Sequence, residues 1–276
     1  MNFFKGAGFS FELHKKAYVM GILNITPDSF SDNGKYFETD TAVSHALLMQ
    51  KQGADIIDIG AQSTRPGAKA VSGKQEIERL LPVLNALKGK LNIPISVDTF
   101  YPEVANFALE NGAVIINDVS GVLSEEMANI IKKHNAGWVI MHNTGGAATV
   151  AKFKNGVLAD VKSFFESALS FAQNCSIPKE TLCFDVGIGF GKSYEDNLKL
   201  IRDMKNIKIK GNAMLVGASK KRVVGIAANE PNAEKRTAGT VAAHTLAIAG
   251  GADIIRVHDV REAVQAAKVA EAIIYG

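Results

Sequence analysis

Polar residues that can bind a ligand recur at the ends of short apolar runs in this sequence. The run "YVMGILN" ends at Asn24, "PISVD" at Asp98, "GAVIIN" at Asn117 and "TLCFD" at Asp185. Carboxylate and amide oxygens accept hydrogen bonds, and a flat heterocycle with an edge of N–H donors needs such acceptors. A helix N-cap or a satisfied buried group explains any one of these residues alone. Together the four residues predict a shared binding site.

A second set of candidates is cationic or can become so, and it lies at or after three apolar runs. Arg65 follows the run "GADIID". The run "AMLVGAS" is followed directly by Lys220, Lys221 and Arg222. Arg256 ends the run "GADIIR", and His258 comes two residues later. Arginine forks and lysine point charges suit phosphate oxygens. The set therefore predicts a phosphate or diphosphate site, apart from the acidic candidates. A solvated basic run is the simpler alternative for residues 220–222, and the sequence leaves it open.

The glycine-rich stretch "GIGFGKS" (residues 187–193) does not match either common phosphate-binding motif. Val186 occupies a glycine position of the P-loop, and Lys192 occupies the third glycine of the dinucleotide fingerprint. We interpret the stretch as a glycine turn that carries Phe190 over the site. The absence of HExxH, GxSxG and clustered Cys/His motifs argues against a zinc or serine hydrolase.

The elements that must position these residues show an internal repeat. "GADIID" (53–58), "GAVIIN" (112–117) and "GADIIR" (251–256) each open with a glycine suited to a left-handed helix C-cap and end in a polar residue. Eight such apolar runs are nearly continuous, as in parallel strands buried on both faces. Helical patterns between them cover residues 41–52, 73–87, 102–111, 124–134, 157–173, 193–204, 232–249 and 259–275.

Eight strand–helix alternations predict an α/β fold, a (β/α)8 TIM barrel in a single domain over residues 1–276. A doubly wound sheet is the alternative. Phe9–His14 is predicted as a small strand that closes the barrel bottom. Active sites of such barrels lie at the C-terminal ends of the strands, where the polar residues occur.

The composition supports a globular protein with a full hydrophobic core and does not argue for a nucleic-acid or membrane partner. Hydrophobic residues make up 47% of the 276 residues, and the net charge is only +3. Cys175 and Cys183 have neither a metal-ligand spacing nor the number for a disulfide framework. No apolar stretch reaches 18 residues, and Met1–Lys16 lacks a signal-peptide core. We therefore expect a cytoplasmic protein with no nucleic-acid or membrane partner.

Seven motifs, in order, resemble those of the dihydropteroate synthases, a pterin-binding enzyme family. They span about residues 18–262 and read "MGILNITPDSFSD", "DIGAQSTRPGA", "VDT", "IND", "DVGIGFGK", "GASKKR" and "RVHDV". The resemblance implies a (β/α)8 barrel and a transferase of folate biosynthesis that is a target of sulfonamides. The implied reaction joins 6-hydroxymethyl-7,8-dihydropterin diphosphate to 4-aminobenzoate, giving 7,8-dihydropteroate and pyrophosphate, with Mg²⁺ as cofactor.

The same resemblance implies a role for each matching residue. The pterin ring would be held by Asp98, Asn117, Asp185 and Lys221. The diphosphate would be bound by Thr64, Arg65, Arg256 and His258. The aminobenzoate pocket would be shaped by Pro66, Phe190, Ser219 and Lys221. Asn24 would ligate Mg²⁺, and Phe30 and Asp32 would close over the reacting centre; Phe30, Asp32, Lys221 and Arg256 are the predicted catalytic residues.

Some positions depart from the family pattern. Val186 replaces a proline, Lys220 replaces an arginine, "GAQS" stands for "GGES", and the "MHNTG" loop is unusual. Two other functions stay open: a methyltetrahydrofolate-dependent corrinoid methyltransferase and a pterin-binding protein without catalysis. The family resemblance also suggests a homodimer through the late helices, although the Ala-rich face of residues 238–249 is more typical of helix packing within the barrel than of an interface.

Overall fold

The computed structural model describes residues 1–25, 35–62, 71–145 and 150–276, with side chains except those of residues 35–38. Two short strands, β1 (Phe3–Gly6) and β2 (Phe9–Glu12), pair antiparallel as a hairpin. The predicted strand in the Phe9–His14 segment is confirmed, and β1 is an addition, since its short segment carries little periodicity.

Eight parallel strands close into a barrel. Along the chain they are β3 (Tyr18–Asn24), β4 (Ile56–Gly60), β5 (Ile95–Asp98), β6 (Ile115–Asp118), β7 (Gly137–Met141), β8 (Leu182–Asp185), β9 (Ala213–Val216) and β10 (Ile254–Val257). Each strand pairs with the next, and β10 closes the ring by pairing with both β3 and β9. The predicted (β/α)8 barrel is confirmed, and the doubly wound alternative is excluded.

The helices among the described residues lie between these strands. They are α1 (Lys35–Gln52), α2 (Gly73–Leu87), α3 (Pro102–Glu110), α4 (Glu125–His134), α5 (Val157–Asn174), α6 (Tyr194–Arg202), α7 (Arg222–Ala227), α8 (Thr237–Ala249) and α9 (Val260–Tyr275). None of the described helices is long and apolar enough to cross a membrane.

Three predicted helix boundaries differ from the structure by more than one residue. α1 begins at Lys35 rather than residue 41. The helix predicted over 232–249 begins at Thr237, because the Asn232 side chain caps a separate 3₁₀ turn over Ala233–Lys235. The predicted helix over 193–204 ends as α6 at Arg202. The short α7 was not predicted, since six residues give no clear periodicity.

The glycines that open the repeated runs adopt the expected backbone conformation. Gly53, Gly112 and Gly251 have φ values of 100°, 102° and 99°. Such values favour glycine, and each glycine turns the chain out of a helix toward the next strand.

The inner face of the barrel has two layers, because alternate strand residues point inward. The lower layer is apolar and packs on the aromatic residues of the hairpin; its strand residues include Met20, Ile56, Ile115, Val139, Cys183, Leu215 and Ile254. Two residues beyond Ile56, Ile115, Cys183 and Ile254 come Asp58, Asn117, Asp185 and Arg256. The same strands therefore present a polar layer at their C-terminal ends.

Candidate active site

A partly buried ion-pair network forms the centre of the polar layer. Arg256 Nε donates to Asp58 Oδ2 at 2.6 Å, and Arg256 Nη2 donates to Asp98 Oδ2 at 2.8 Å. Asn117 Nδ2 donates to the same Asp58 oxygen at 3.1 Å. The strand register sets this grouping, since Asp98 pairs with Asn117 on one side and with Gly60 on the other. The predicted separation of acids from cations is therefore wrong.

Burial changes the acidity of the carboxylates in this layer. It raises the pKa of Asp98, and the Asp58 carboxylate adds to this rise while the Arg256 guanidinium opposes it. It also raises the pKa of Asp185, although Lys221 lowers it. Asp185 Oδ1 accepts a hydrogen bond from the Gly187 N–H at 2.8 Å. Carboxylates whose pKa is raised by burial are typical of functional sites.

The glycine turn after β8 is held by a buried lysine. Lys192 Nζ donates to the carbonyl oxygens of His142, Gly187 and Phe190 at 3.0, 2.9 and 3.0 Å. Gly187 has a φ of 65°, and a Cβ atom there would collide with the His142 carbonyl oxygen. Lys192 thus holds the backbone of the turn in place with its ammonium group. This agrees with the sequence-based conclusion that the stretch is not a P-loop.

Lys221 joins this turn to the polar layer. Its Nζ donates to the Ile188 carbonyl oxygen at 2.5 Å and lies 4.7 Å from the centre of the Phe190 ring. Burial lowers the pKa of Lys221 to about 8, and Asp185 opposes this change. Lys221 and Phe190 are therefore brought together, as predicted for two residues of one pocket.

Ser219 and His258 form a second polar pair at the ends of β9 and β10. Ser219 Oγ lies 2.9 Å from His258 Nδ1 and accepts the backbone N–H of His258 at 3.1 Å. Burial, followed by the charge of Arg256, lowers the pKa of His258 to about 4. His258 is therefore neutral near pH 7 and can act as a hydrogen-bonding group rather than as a cation.

Two of the cationic candidates lie away from this network. Lys220 Nζ contacts Glu234 Oε2 at 2.8 Å and Asp259 Oδ1 at 3.2 Å, and Arg222 is exposed at the start of α7. For these residues the solvated alternative fits better than a phosphate contact. Five other predicted site residues lie outside the described residues: Phe30, Asp32, Thr64, Arg65 and Pro66.

Three residues of the site region were not predicted from the sequence as site residues. Asp58 is fully buried at the centre of the network, and its place at the end of the "GADIID" repeat, matching Asn117 and Arg256, was the available signal. Lys192 was seen only as a mismatch to a motif. His244 Nε2 accepts the Ala218 N–H at 3.0 Å and so supports the strand end before Ser219; its position in an Ala-rich helix gave no signal.

The residues present fit a magnesium ion that is bound together with phosphate oxygens. Asn24 ends β3 beside Gly60, and a Cβ atom on Gly60 would lie 3.6 Å from Asn24 Oδ1 and 3.9 Å from Asp98 Oδ2. Among the described residues, no group of three or more His, Cys, Asp or Glu side chains can hold a metal. Mg²⁺ accepts such a site, since it keeps water and often takes only one or two protein ligands besides phosphate.

Comparisons with known proteins identify the family of this chain. The sequence model of the pterin-binding enzymes matches residues 20–258. The chain is 43% identical to the dihydropteroate synthase of Synechocystis, over 95% of this chain and 92% of that protein. The Xanthomonas albilineans dihydropteroate synthase with 4-aminobenzoic acid has a TM-score of 0.92 and 38% identity, covering 100% of this chain and 99% of the other.

The same bacterial enzyme in complex with 7,8-dihydropteroate has a TM-score of 0.87 and 33% identity, and the match covers both chains fully. This chain therefore belongs to the pterin-binding enzyme family. Its relatives, at about 40% identity over nearly their full length, define it further as a transferase of the dihydropteroate synthase group. The resemblance drawn from the sequence motifs is confirmed.

Proposed function

We propose that the chain condenses 6-hydroxymethyl-7,8-dihydropterin diphosphate with 4-aminobenzoate, releasing pyrophosphate. One observation carries the proposal: hydrogen-bond acceptors and cations meet in one partly buried layer at the barrel mouth. Asp98, Asn117 and Asp185 supply acceptors, and Lys221 and Arg256 supply positive charge. The substrate has the matching features, a ring edge of N–H donors and an anionic leaving group.

In this proposal the ring is recognised by the acceptors on three neighbouring parts of the layer. Asn117 Oδ1 is buried and has no hydrogen-bond partner among the described residues. An unpaired buried acceptor is costly, so an N–H donor of the pterin offers it a partner. The Asp185 carboxylate takes further N–H groups, and Lys221 holds an acceptor atom of the ring.

The leaving group is stabilised by the groups around Arg256. The guanidinium and the neutral imidazole of His258 would contact the diphosphate, together with Thr64 and Arg65, which lie outside the described residues. Mg²⁺, held by Asn24 and phosphate oxygens, would neutralise charge on the departing pyrophosphate. Preorganised charge of this kind commonly supplies the largest part of a rate enhancement.

The chemistry is a dissociative substitution in this account. The bond between the pterin methylene carbon and the diphosphate oxygen breaks, and its electron pair leaves with pyrophosphate. The amine nitrogen of 4-aminobenzoate then forms the new C–N bond and loses a proton. Phe190 and Ser219 would shape the pocket for this amine. Pro66, Phe30 and Asp32, which lie outside the described residues, are proposed to act beside them at the reacting carbon. No covalent enzyme intermediate is needed.

A pyrophosphate-release assay tests the function. Purified protein is mixed with Mg²⁺ and the pterin diphosphate, with and without 4-aminobenzoate. We expect release that requires aminobenzoate and a product with the mass of 7,8-dihydropteroate. Tight pterin binding without release would contradict the synthase and support a binding protein without catalysis.

The assembly and location of the protein are further parts of the proposal. The late helices carry exposed apolar side chains, including Ile226, Leu246, Val269 and Ile273. This surface supports a homodimer through these helices, which sedimentation equilibrium would test. The two free cysteines fit a reducing cytoplasm.

A further inference from the structure

Asp58 lies at the centre of the site, but the proposed substrate contacts give it no role. It lies in the middle of β4 rather than at its end, and it is fully buried. A single oxygen, Oδ2, accepts from Arg256 Nε at 2.6 Å and from Asn117 Nδ2 at 3.1 Å. One carboxylate therefore contacts two residues with different proposed roles, one at the leaving group and one at the pterin ring.

The contact with Arg256 fixes the plane of the guanidinium. Asp58 binds the Nε edge, and Asp98 binds Nη2 at 2.8 Å. The guanidinium is rigid and planar, so two contacts on different nitrogens set both its place and its tilt. With Asp98 alone, the group could rotate about the Nη2 contact. Asp58 thus supplies the second contact that fixes the orientation of the Arg256 guanidinium.

The contact with Asn117 fixes which end of the amide meets the ligand. A carboxylate accepts hydrogen bonds only, so it selects the Nδ2 end of the amide. The Oδ1 atom is then the end left for another partner, and it is buried without one among the described residues. Replacing the carboxylate by an amide removes this selection, because an amide group can face either end.

We propose that Asp58 is a positioning residue for the transferase reaction, one that orients Arg256 toward the leaving group and Asn117 Oδ1 toward the pterin. The inference rests on the proposed function. In this proposal Asp58 acts through these two side chains.

The test uses Asp58→Asn, Arg256→Ala and the double variant. We expect Asp58→Asn to lower kcat on the order of tenfold to a hundredfold, by analogy with residues that orient metal ligands. In the Arg256→Ala background the same change should alter kcat less than about twofold, because the group that it orients is gone. The KM for the pterin diphosphate should still rise in that background, since Asn117 is also released.

Ser96→Ala is the matched control. Ser96 is the β5 neighbour of Asp58, is equally buried and has no assigned role in the site. We expect wild-type kcat and KM for this variant. Losses in kcat that multiply independently in the double variant, or a wild-type kcat in Asp58→Asn, would overturn the proposal.

A crystal structure of ligand-free Asp58→Asn separates this inference from the proposed function. We expect the guanidinium of Arg256 to leave its position beside Asp98 or the Asn117 amide to turn over. Both groups unmoved would refute the positioning role, whether or not the wild-type protein makes dihydropteroate. If the single variant fails to fold, the structure of Asp58→Asn/Arg256→Ala is compared with that of Arg256→Ala, and an unchanged Asn117 decides against the proposal.

Discussion

The two inner layers of the barrel differ in polarity although the same strands supply both. The lower layer is closed by the hairpin, where the Phe4 and Phe9 ring centres lie 5.0 Å apart and those of Phe11 and Tyr18 lie 4.4 Å apart. The upper layer, two residues further along the strands, contains carboxylates, an amide and a guanidinium. Buried charge of this kind adds little to stability, so the lower layer stabilises the barrel and the upper layer serves the ligand.

Buried polar atoms without hydrogen-bond partners also indicate that the upper layer serves the ligand rather than stability. Among the described residues, Asp58 Oδ1 and Asn117 Oδ1 are buried without a hydrogen-bond partner. A layer that existed only for stability would not retain such atoms, because each costs free energy. Changes in the lower layer should therefore affect unfolding, and changes in the upper layer should affect turnover.

The largest effect is expected in the lower layer. Phe4→Ala removes a side chain that is fully buried under the barrel, and it should lower the free energy of unfolding by about 3–5 kcal/mol. Urea denaturation measures this loss, with the partly exposed Phe3→Ala as the milder control. A lower kcat in Phe4→Ala, measured where the protein is still folded, would contradict the division into layers.

In the upper layer, Arg256→Ala should affect catalysis most. We expect kcat to fall about 10²–10³-fold, equal to about 2.7–4 kcal/mol, because a preorganised charge near the leaving group is lost. Some stability should be lost as well, since the buried Asp58 carboxylate loses the guanidinium that balances its charge. Assays run well below the unfolding temperature separate the two losses. Arg261→Ala, at an exposed position of α9, is the control, and equal kcat values for the two variants would disprove the role of Arg256.

A smaller effect is expected from the titration of Glu76, which should make the stability of the protein depend on pH. Glu76 in α2 is buried and accepts a hydrogen bond from Thr99 Oγ1 at 3.0 Å. Burial raises the pKa of Glu76 from 4.5 to about 7. A raised carboxyl pKa in the folded state favours stability below pH 4.5, and this contribution is lost as the pH rises through about 7.

Glu76→Gln should therefore gain stability relative to wild type between pH 5 and pH 8, on the order of 1–3 kcal/mol. Thermal unfolding of both proteins across this range provides the measurement. Glu78→Gln, at an exposed position of the same helix, is the control. Parallel stability curves for wild type and Glu76→Gln would rule out this titration.

The smallest effect is expected at Lys220. Its charge is already paired with Glu234 and Asp259, so Lys220→Asn should change stability by about 1 kcal/mol or less and leave kcat near the wild-type value. Asparagine tolerates the positive φ of 57° at this position. The adjacent Lys221→Asn should weaken pterin binding, as calorimetry would show. If the Lys220 variant loses as much affinity for the pterin as the Lys221 variant, then Lys220 does not lie outside the binding site as the structure indicates.

The sequence predicted the barrel well because each strand carried a local signal. Apolar runs ended in polar residues, and Gly53, Gly112 and Gly251 marked the helix ends. The same positions gave most of the site, since parallel strands bring their C-terminal ends together. The assignment of residues 1–276 to one domain, the magnesium ion and the individual residue roles stay predictions.

What the sequence did not give depends on contacts between distant residues. Arg256 and Asp58 are 198 positions apart and Arg256 and Asp98 are 158 apart, so their pairing follows only from barrel closure. The role of Lys192 depends on three carbonyl oxygens of a folded turn. The neutral state of His258 likewise results from burial and a neighbouring charge, neither of which is a local property.

A crystal structure with bound 6-hydroxymethyl-7,8-dihydropterin diphosphate tests the central claim most directly. We expect the ring in the upper layer, with its N–H groups within hydrogen-bond distance of Asp185 and Asn117 Oδ1, and the diphosphate toward Arg256 and His258. A ring bound outside this layer, with Asn117 Oδ1 still unpaired, would refute ligand recognition by the upper layer.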